Sequence, residues 1–103
     1  MSKKASPIPM AVLDRVSAAL RVLAHPHRLK AVELLCDHEF SVGELAERME
    51  LPPAACSQHL NLMRAHGLLK ASRRGREVIY QVCNSSARNV IDCIRTHEIK
   101  RER

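Results

Sequence analysis

From Met10 onward apolar residues return every three or four positions, through Val12, Leu13, Val16, Ala19, Leu20 and Leu23. That spacing predicts a first helix with one buried face, stopping before Pro26. Pro26 suits a first helical turn, where a missing N–H costs nothing, and Leu29, Val32, Leu35 and Cys36 mark the core side of a second helix. Asp37-His38-Glu39 ends it. Ser41-Val42-Gly43-Glu44 matches a capping box, in which the Ser41 hydroxyl accepts from an exposed backbone N–H and Glu44 reaches back. A third helix is therefore predicted from Ser41 to about Met49. Leu51-Pro52-Pro53 interrupts the pattern, because proline disfavours a helical residue before it and has no N–H to donate. Pro53 then opens a fourth helix that runs to about His66, with Gly67 as its natural stop. Ser41 to His66 reads as helix, short turn, helix.

Two β-like runs follow, Leu68 to Lys70 and Val78 to Val82, joined by the polar segment Ser72-Arg73-Arg74-Gly75-Arg76. They predict a two-stranded hairpin whose tip carries arginines around a glycine able to take positive φ. Asn84-Ser85-Ser86 caps a fifth helix with Ala87, Val90, Ile91, Ile94 and Glu98 on one face. The expected architecture is mainly α: five helices and a two-stranded β-hairpin. Residues 1–9, with two prolines and no periodicity, read as a flexible arm, 10–99 as one domain, and 100–103 as a basic, solvated tail.

Composition narrows the possible partners. Of 103 residues, 17 are Lys or Arg against 11 Asp or Glu, a formal charge of +6, so the expected partner is a polyanion. An anionic membrane surface would need a helix with a concentrated basic face, and none shows one. Nor does any apolar run approach the ~20 residues of a spanning helix, and no signal-type apolar core follows Lys3 and Lys4. A cytoplasmic protein is expected. Cys36, Cys56, Cys83 and Cys93 lack the dense spacing of a disulfide scaffold, and there is no CxxC pair, so free thiols are expected and no metal is required for the fold. No nucleophile with a base and an orienting group stands out, and there is no phosphate-binding glycine loop; an enzyme is not expected.

A helix-turn-helix that reads duplex DNA needs a second helix with an apolar inward face and small polar residues outward. Cys56, Leu60 and Met63 fall at i, i+4 and i+7, while Ala54, Ser57, Gln58 and Asn61 fall on the other side. Gln58 and Asn61 offer paired donors and acceptors to adenine, Ser57 a hydroxyl to phosphate or base, and His59 a phosphate contact. Arg73, Arg74 and Arg76 supply cations for phosphates or a narrow minor groove. An arginine run alone is as readily a solvated turn; its position directly after a helix-turn-helix favours the DNA reading.

Taken in order, Leu23-Ala24-His25-Pro26-His27-Arg28-Leu29, Ser41-Val42-Gly43-Glu44-Leu45-Ala46, Cys56-Ser57-Gln58-His59-Leu60, Arg64-Ala65-His66-Gly67-Leu68, Arg74-Gly75-Arg76 and Ile79-Tyr80 resemble the successive signatures of the ArsR/SmtB repressors. The resemblance covers roughly residues 15 to 95. It implies a homodimeric winged helix-turn-helix regulator bound to a double-stranded DNA operator. The first and last helices would form the dimer interface, with Val16, Leu20, Val90, Ile91 and Ile94 as its residues. Family members usually repress until a chemical signal releases them. The competing reading is a winged helix used for architectural DNA binding or protein contact without an inducer.

The sensing site departs from the family pattern. Where metal-sensing relatives carry a Cys-Val-Cys stretch on the third helix, this chain has Ser41 and Gly43. On the last helix Cys93 and His97 are four apart and could serve as two ligands per subunit for a metal ion or metalloid. Alternatively Cys93 packs at the interface and His97 is solvated. Cys36 and Cys93 lie on the two helices that carry the thiol pair of sulfide-sensing relatives, although neither falls at the family's usual position, so a thiol-reactive inducer is a second possibility. Cys56 reads as a buried structural residue. His25 and His27, beside Pro26, read as a helix cap and a surface residue.

Overall fold

The computed structural model describes residues 6–99. The expected basic tail at 100–103 and the first five residues of the expected arm lie outside the described residues. Five α-helices and three short strands follow in the order α1 (Met10–Leu23), α2 (Pro26–Asp37), β1 (Phe40–Ser41), α3 (Val42–Met49), α4 (Pro53–Ala65), β2 (Leu69–Arg74), β3 (Glu77–Val82) and α5 (Ser85–Ile94). No helix among the described residues is long and apolar enough to cross a membrane.

Local chemistry accounts for most of the helix ends. The Nδ1 of His25 accepts from the His27 backbone N–H at 3.1 Å and caps α2. Ser41 and Glu44 form both halves of the capping box, at 3.2 and 2.9 Å, and so satisfy two exposed donors of the α3 region. Pro52 and Pro53 start α4, and Gly67, at φ +74°, lets the chain turn out of it into β2. The Asn84 side chain accepts from the Ala87 N–H to open α5.

The helices close on a core of Val32, Leu45, Cys56, Leu60, Met63 and Leu68, all essentially without exposed surface. Each large apolar side chain buried there contributes about 1.5–3 kcal/mol. α3 and α4 thus place their inward faces as the periodicity requires, and the outward face of α4 is left free.

Three features differ from the sequence expectation. The sheet has three antiparallel strands rather than two, in the order β1-β3-β2, with Phe40 opposite Tyr80 and Ser41 opposite Ile79. Ser41 has the extended backbone that an N-cap residue needs, φ −81° and ψ 168°, and the same conformation lets it pair with β3. The strands of the hairpin also run further than expected. Arg74 pairs with Glu77, so only Gly75 and Arg76 form the turn, and Gly75 supplies the positive φ (+62°) of a two-residue connection. Arg73 and Arg74 therefore stand on strand β2 rather than at the tip. Finally, α5 widens into a single π-type turn at Arg95–Ile99, which breaks the helical phase that would have aligned Glu98 with Ile94.

Candidate nucleic-acid interface

Cys56, Leu60 and Met63 anchor α4 in the core, which turns Ala54, Gln58 and Asn61 outward and leaves Ser57 half-buried beside them. Gln58 is exposed with both amide groups available. Asn61 is exposed as well, but its Oδ1 accepts a long 3.4 Å bond from the hydroxyl of buried Tyr80 on β3. Bidentate contact with adenine needs Oδ1 and Nδ2 together, so the Tyr80 hydroxyl shares Oδ1 and constrains how Asn61 can meet a base. In this conformation it ties α4 to the wing.

His59 is half-buried, and its Nδ1 accepts from the Nε–H of Arg28 at 3.2 Å. Burial, followed by the nearby His25, Arg28 and His27, lowers its proton affinity. A neutral, partly enclosed ring is a weaker phosphate contact than the sequence suggested. Around it stand His25 and His27, with ring centroids 4.6 and 5.8 Å from that of His59. His25 caps α2 as expected. His27 is half-buried in this cluster rather than simply a surface residue.

The wing arginines are not equivalent. Arg73 and Arg76 are exposed and form no ion pair among the described residues. Arg74 donates to the Glu39 carboxylate at 2.5 Å, and Gln81 donates to the other oxygen of the same carboxylate. Arg74 accordingly holds the Glu39 carboxyl below its ordinary proton affinity. Glu39, at the end of the α2–β1 connection, has no signature in the sequence that marks it as part of this surface.

On the opposite side, Leu13, Val16 and Leu20 of α1 are 42, 43 and 49% exposed. The first-helix stripe is therefore mostly open within the protomer, and only Val22 and Leu23 of α1 are buried. A groove of about 530 Å³ between α1 and α5 is lined by Val16, Ala19, Leu20, Leu68 and Val90. Ile91 needs correction as an interface residue, because it is 4% exposed and belongs to the protomer's own core. Ile94, half-buried, lines a second groove against Leu29 of α2.

The candidate sensing residues differ in exposure. Cys93 and His97 are exposed, with His97 in the widened turn. Cys36 is half-buried; burial raises its thiol pKa, opposite to the shift that activates a thiol. Its backbone carbonyl accepts from Arg88 at 3.2 Å. Cys56 is fully buried and its thiol is likewise raised by burial. Among the described residues, only His25, His27 and His59 bring three potential metal ligands together.

A helix-turn-helix followed by an arginine-bearing hairpin, packed between an N-terminal and a C-terminal helix, defines a winged helix-turn-helix protein. Comparisons agree. A helix-turn-helix domain family matches residues 23–70. The transcriptional activator HlyU of Vibrio cholerae is 32% identical over 95 residues, 88% of each chain, and its reduced structure superimposes with a TM-score of 0.79 over 84% of this chain and 92% of that one at 30% identity. The transcriptional repressor SmtB of Mycobacterium tuberculosis is 33% identical over 86 residues, covering 84% of this chain and 64% of the relative. The fold also matches a homodimeric winged helix-turn-helix DNA-binding domain, Mb0332 from Mycobacterium bovis, with a TM-score of 0.76, 23% identity and coverage of 92% of this chain and 88% of that one. The chain belongs to the ArsR/SmtB family of transcriptional regulators.

Proposed function

We propose that the protein is a sequence-specific DNA-binding transcriptional regulator that works as a homodimer, with Gln58 and Ser57 reading bases and Arg73 and Arg76 contacting phosphates. The observation that carries this reading is the two-sided α4: one face is locked into the core by Cys56, Leu60 and Met63, and the other presents Ala54 and Gln58 to solvent with Ser57 half-buried beside them. Small residues there allow the close backbone approach that a major groove requires. The open apolar stripe Leu13, Val16 and Leu20, with Val90 across the groove, supplies the dimer surface. Relatives named as an activator and a repressor support the regulatory role, and the homodimeric fold neighbour supports the assembly.

The test is binding to the protein's own promoter compared with random duplex of equal length, measured by fluorescence anisotropy at fixed salt. A regulator shows a specificity gap of about 10³ or more. Equal affinity for both would favour architectural packaging. Release by a metal, metalloid or thiol-reactive signal would act through exposed Cys93 on α5, where a ligand shared across a two-fold axis alters the angle between the two reading helices. A Cys93→Ser protein that still leaves its operator normally would remove Cys93 from that role.

A further inference from the structure

We propose that His25, His27 and His59 form a binding site for a divalent cation of the zinc class, joining the start of α2 to the reading helix α4. His25 is the cap of α2, His27 lies in its first turn, and His59 follows Gln58 on α4. The three rings pack against one another with centroids 5.6, 4.6 and 5.8 Å apart. One nitrogen from each lies within 4.8 Å of the other two. A tetrahedral zinc ion, with Zn–N distances of about 2.0–2.1 Å, needs ligand nitrogens ~3.4 Å apart, so rotation of the side chains that brings the nitrogens up to roughly 1.4 Å closer completes the set.

The chemistry of the cluster points the same way. Arg28 donates to Nδ1 of His59, so that nitrogen carries a lone pair that a metal ion could take in its place. Nδ1 of His25 accepts the His27 N–H, and Nδ1 of His59 accepts from Arg28. Ligation of His25 and His59 through those nitrogens would keep the proton of both rings on Nε2 and exchange two N–H···N bonds for two metal bonds. Arg28 stays anchored after it is displaced, because its Nη1 also donates to the Val22 carbonyl at 2.9 Å. Three imidazoles, without thiolate or carboxylate, suit Zn²⁺, Co²⁺ or Ni²⁺ and discriminate against Ca²⁺ and Mg²⁺, which need oxygen ligands. All three residues are half-buried, leaving a fourth coordination position open to water. The site is separate from Cys93 and His97, which lie on α5 and in the turn beyond it.

The test is titration of the full chain with Co²⁺, followed by visible absorption of the tetrahedral ion and competition with Zn²⁺. One site per protomer is expected, retained in a Cys93→Ser, His97→Asn double variant. It should be weakened at least about a hundredfold in His27→Gln, since losing a ligand costs more than losing a group behind one. His27→Gln leaves the His25 cap intact, and circular dichroism checks its fold. In the unmodified protein, ¹⁵N spectra of the imidazoles should show zinc shifting His25, His27 and His59 but not His38, His66 or His97. Absence of a Co²⁺ site in the unmodified protein, unchanged binding by His27→Gln, loss of the site in the α5 double variant, or zinc shifts confined to other histidines would each overturn the proposal.

Discussion

The guanidinium of Arg74 on the wing is held by the carboxylate of Glu39, 35 residues earlier, at 2.5 Å. Arg74 is therefore not a free cation when DNA approaches, unlike Arg73 and Arg76. Replacing Glu39 by Gln removes a negative charge beside the wing and frees Arg74. We expect tighter binding to all duplexes alike and a salt dependence steeper by up to about one unit of slope, read from affinities measured across a salt series. Unchanged affinity and slope would mean that Arg74 does not meet phosphate.

Gln58 and Arg76 should separate reading from attraction. Gln58→Ala should lose about 1–3 kcal/mol of discrimination at one base pair. Arg76→Ala should weaken operator and random DNA together and make the salt slope shallower by about one. Loss of specificity on Arg76→Ala at constant slope would reverse the two assignments.

Leu20 is a cleaner probe of dimerisation than Ile94. It is 49% exposed within the protomer, whereas Ile94 packs in a groove against α2 and Ile91 is buried in the core. Leu20→Glu should place an uncompensated charge at the interface and yield a folded monomer, seen as halved mass in sedimentation with unchanged helical circular dichroism. A dimer of unaltered stability would place the interface elsewhere.

Acid should expose the ion pairs of α2. Lys30 first, then Arg95, holds the Glu33 carboxyl below its ordinary value of 4.5. A carboxyl with depressed pKa contributes stability above that value and loses it as pH falls through the folded-state pKa. Because the Glu33 side chain is 38% exposed, the contribution is only about 0.2–1 kcal/mol. Glu33→Gln should be less stable than the parent by that margin at pH 7 in urea titrations, and the difference should shrink as pH is lowered below 4.5 and through the depressed folded-state pKa.

The helices were legible because their signals are local. Ser41 and Glu44 are three residues apart, Pro52 and Pro53 break the chain where they stand, and Gly67 ends α4 by its own freedom. β1 leaves no signal in the linear pattern, since two residues cannot display alternation and one of them, Ser41, also serves as the cap of α3. The apolar stripe of α5 announced itself, but periodicity does not say whether a residue meets its own core or a partner, and Ile91 meets its own core. The Glu39–Arg74 pair and the approach of His59 to Arg28 span 35 and 31 positions. Nothing in the linear pattern brings such residues together; the packing of α2 against α4 and the return of β3 do.

Pairing of Phe40 and Ser41 with β3 has a mechanical consequence. The segment that starts α3 is stitched to the strand that carries the hairpin, and Asn61 adds a second stitch from α4 to Tyr80. The hairpin is thus no free lever on a hinge but part of one jaw with the reading helix. In the proposed dimer, a swing of the two jaws about their shared axis would grip or surrender groove and flank in a single stroke.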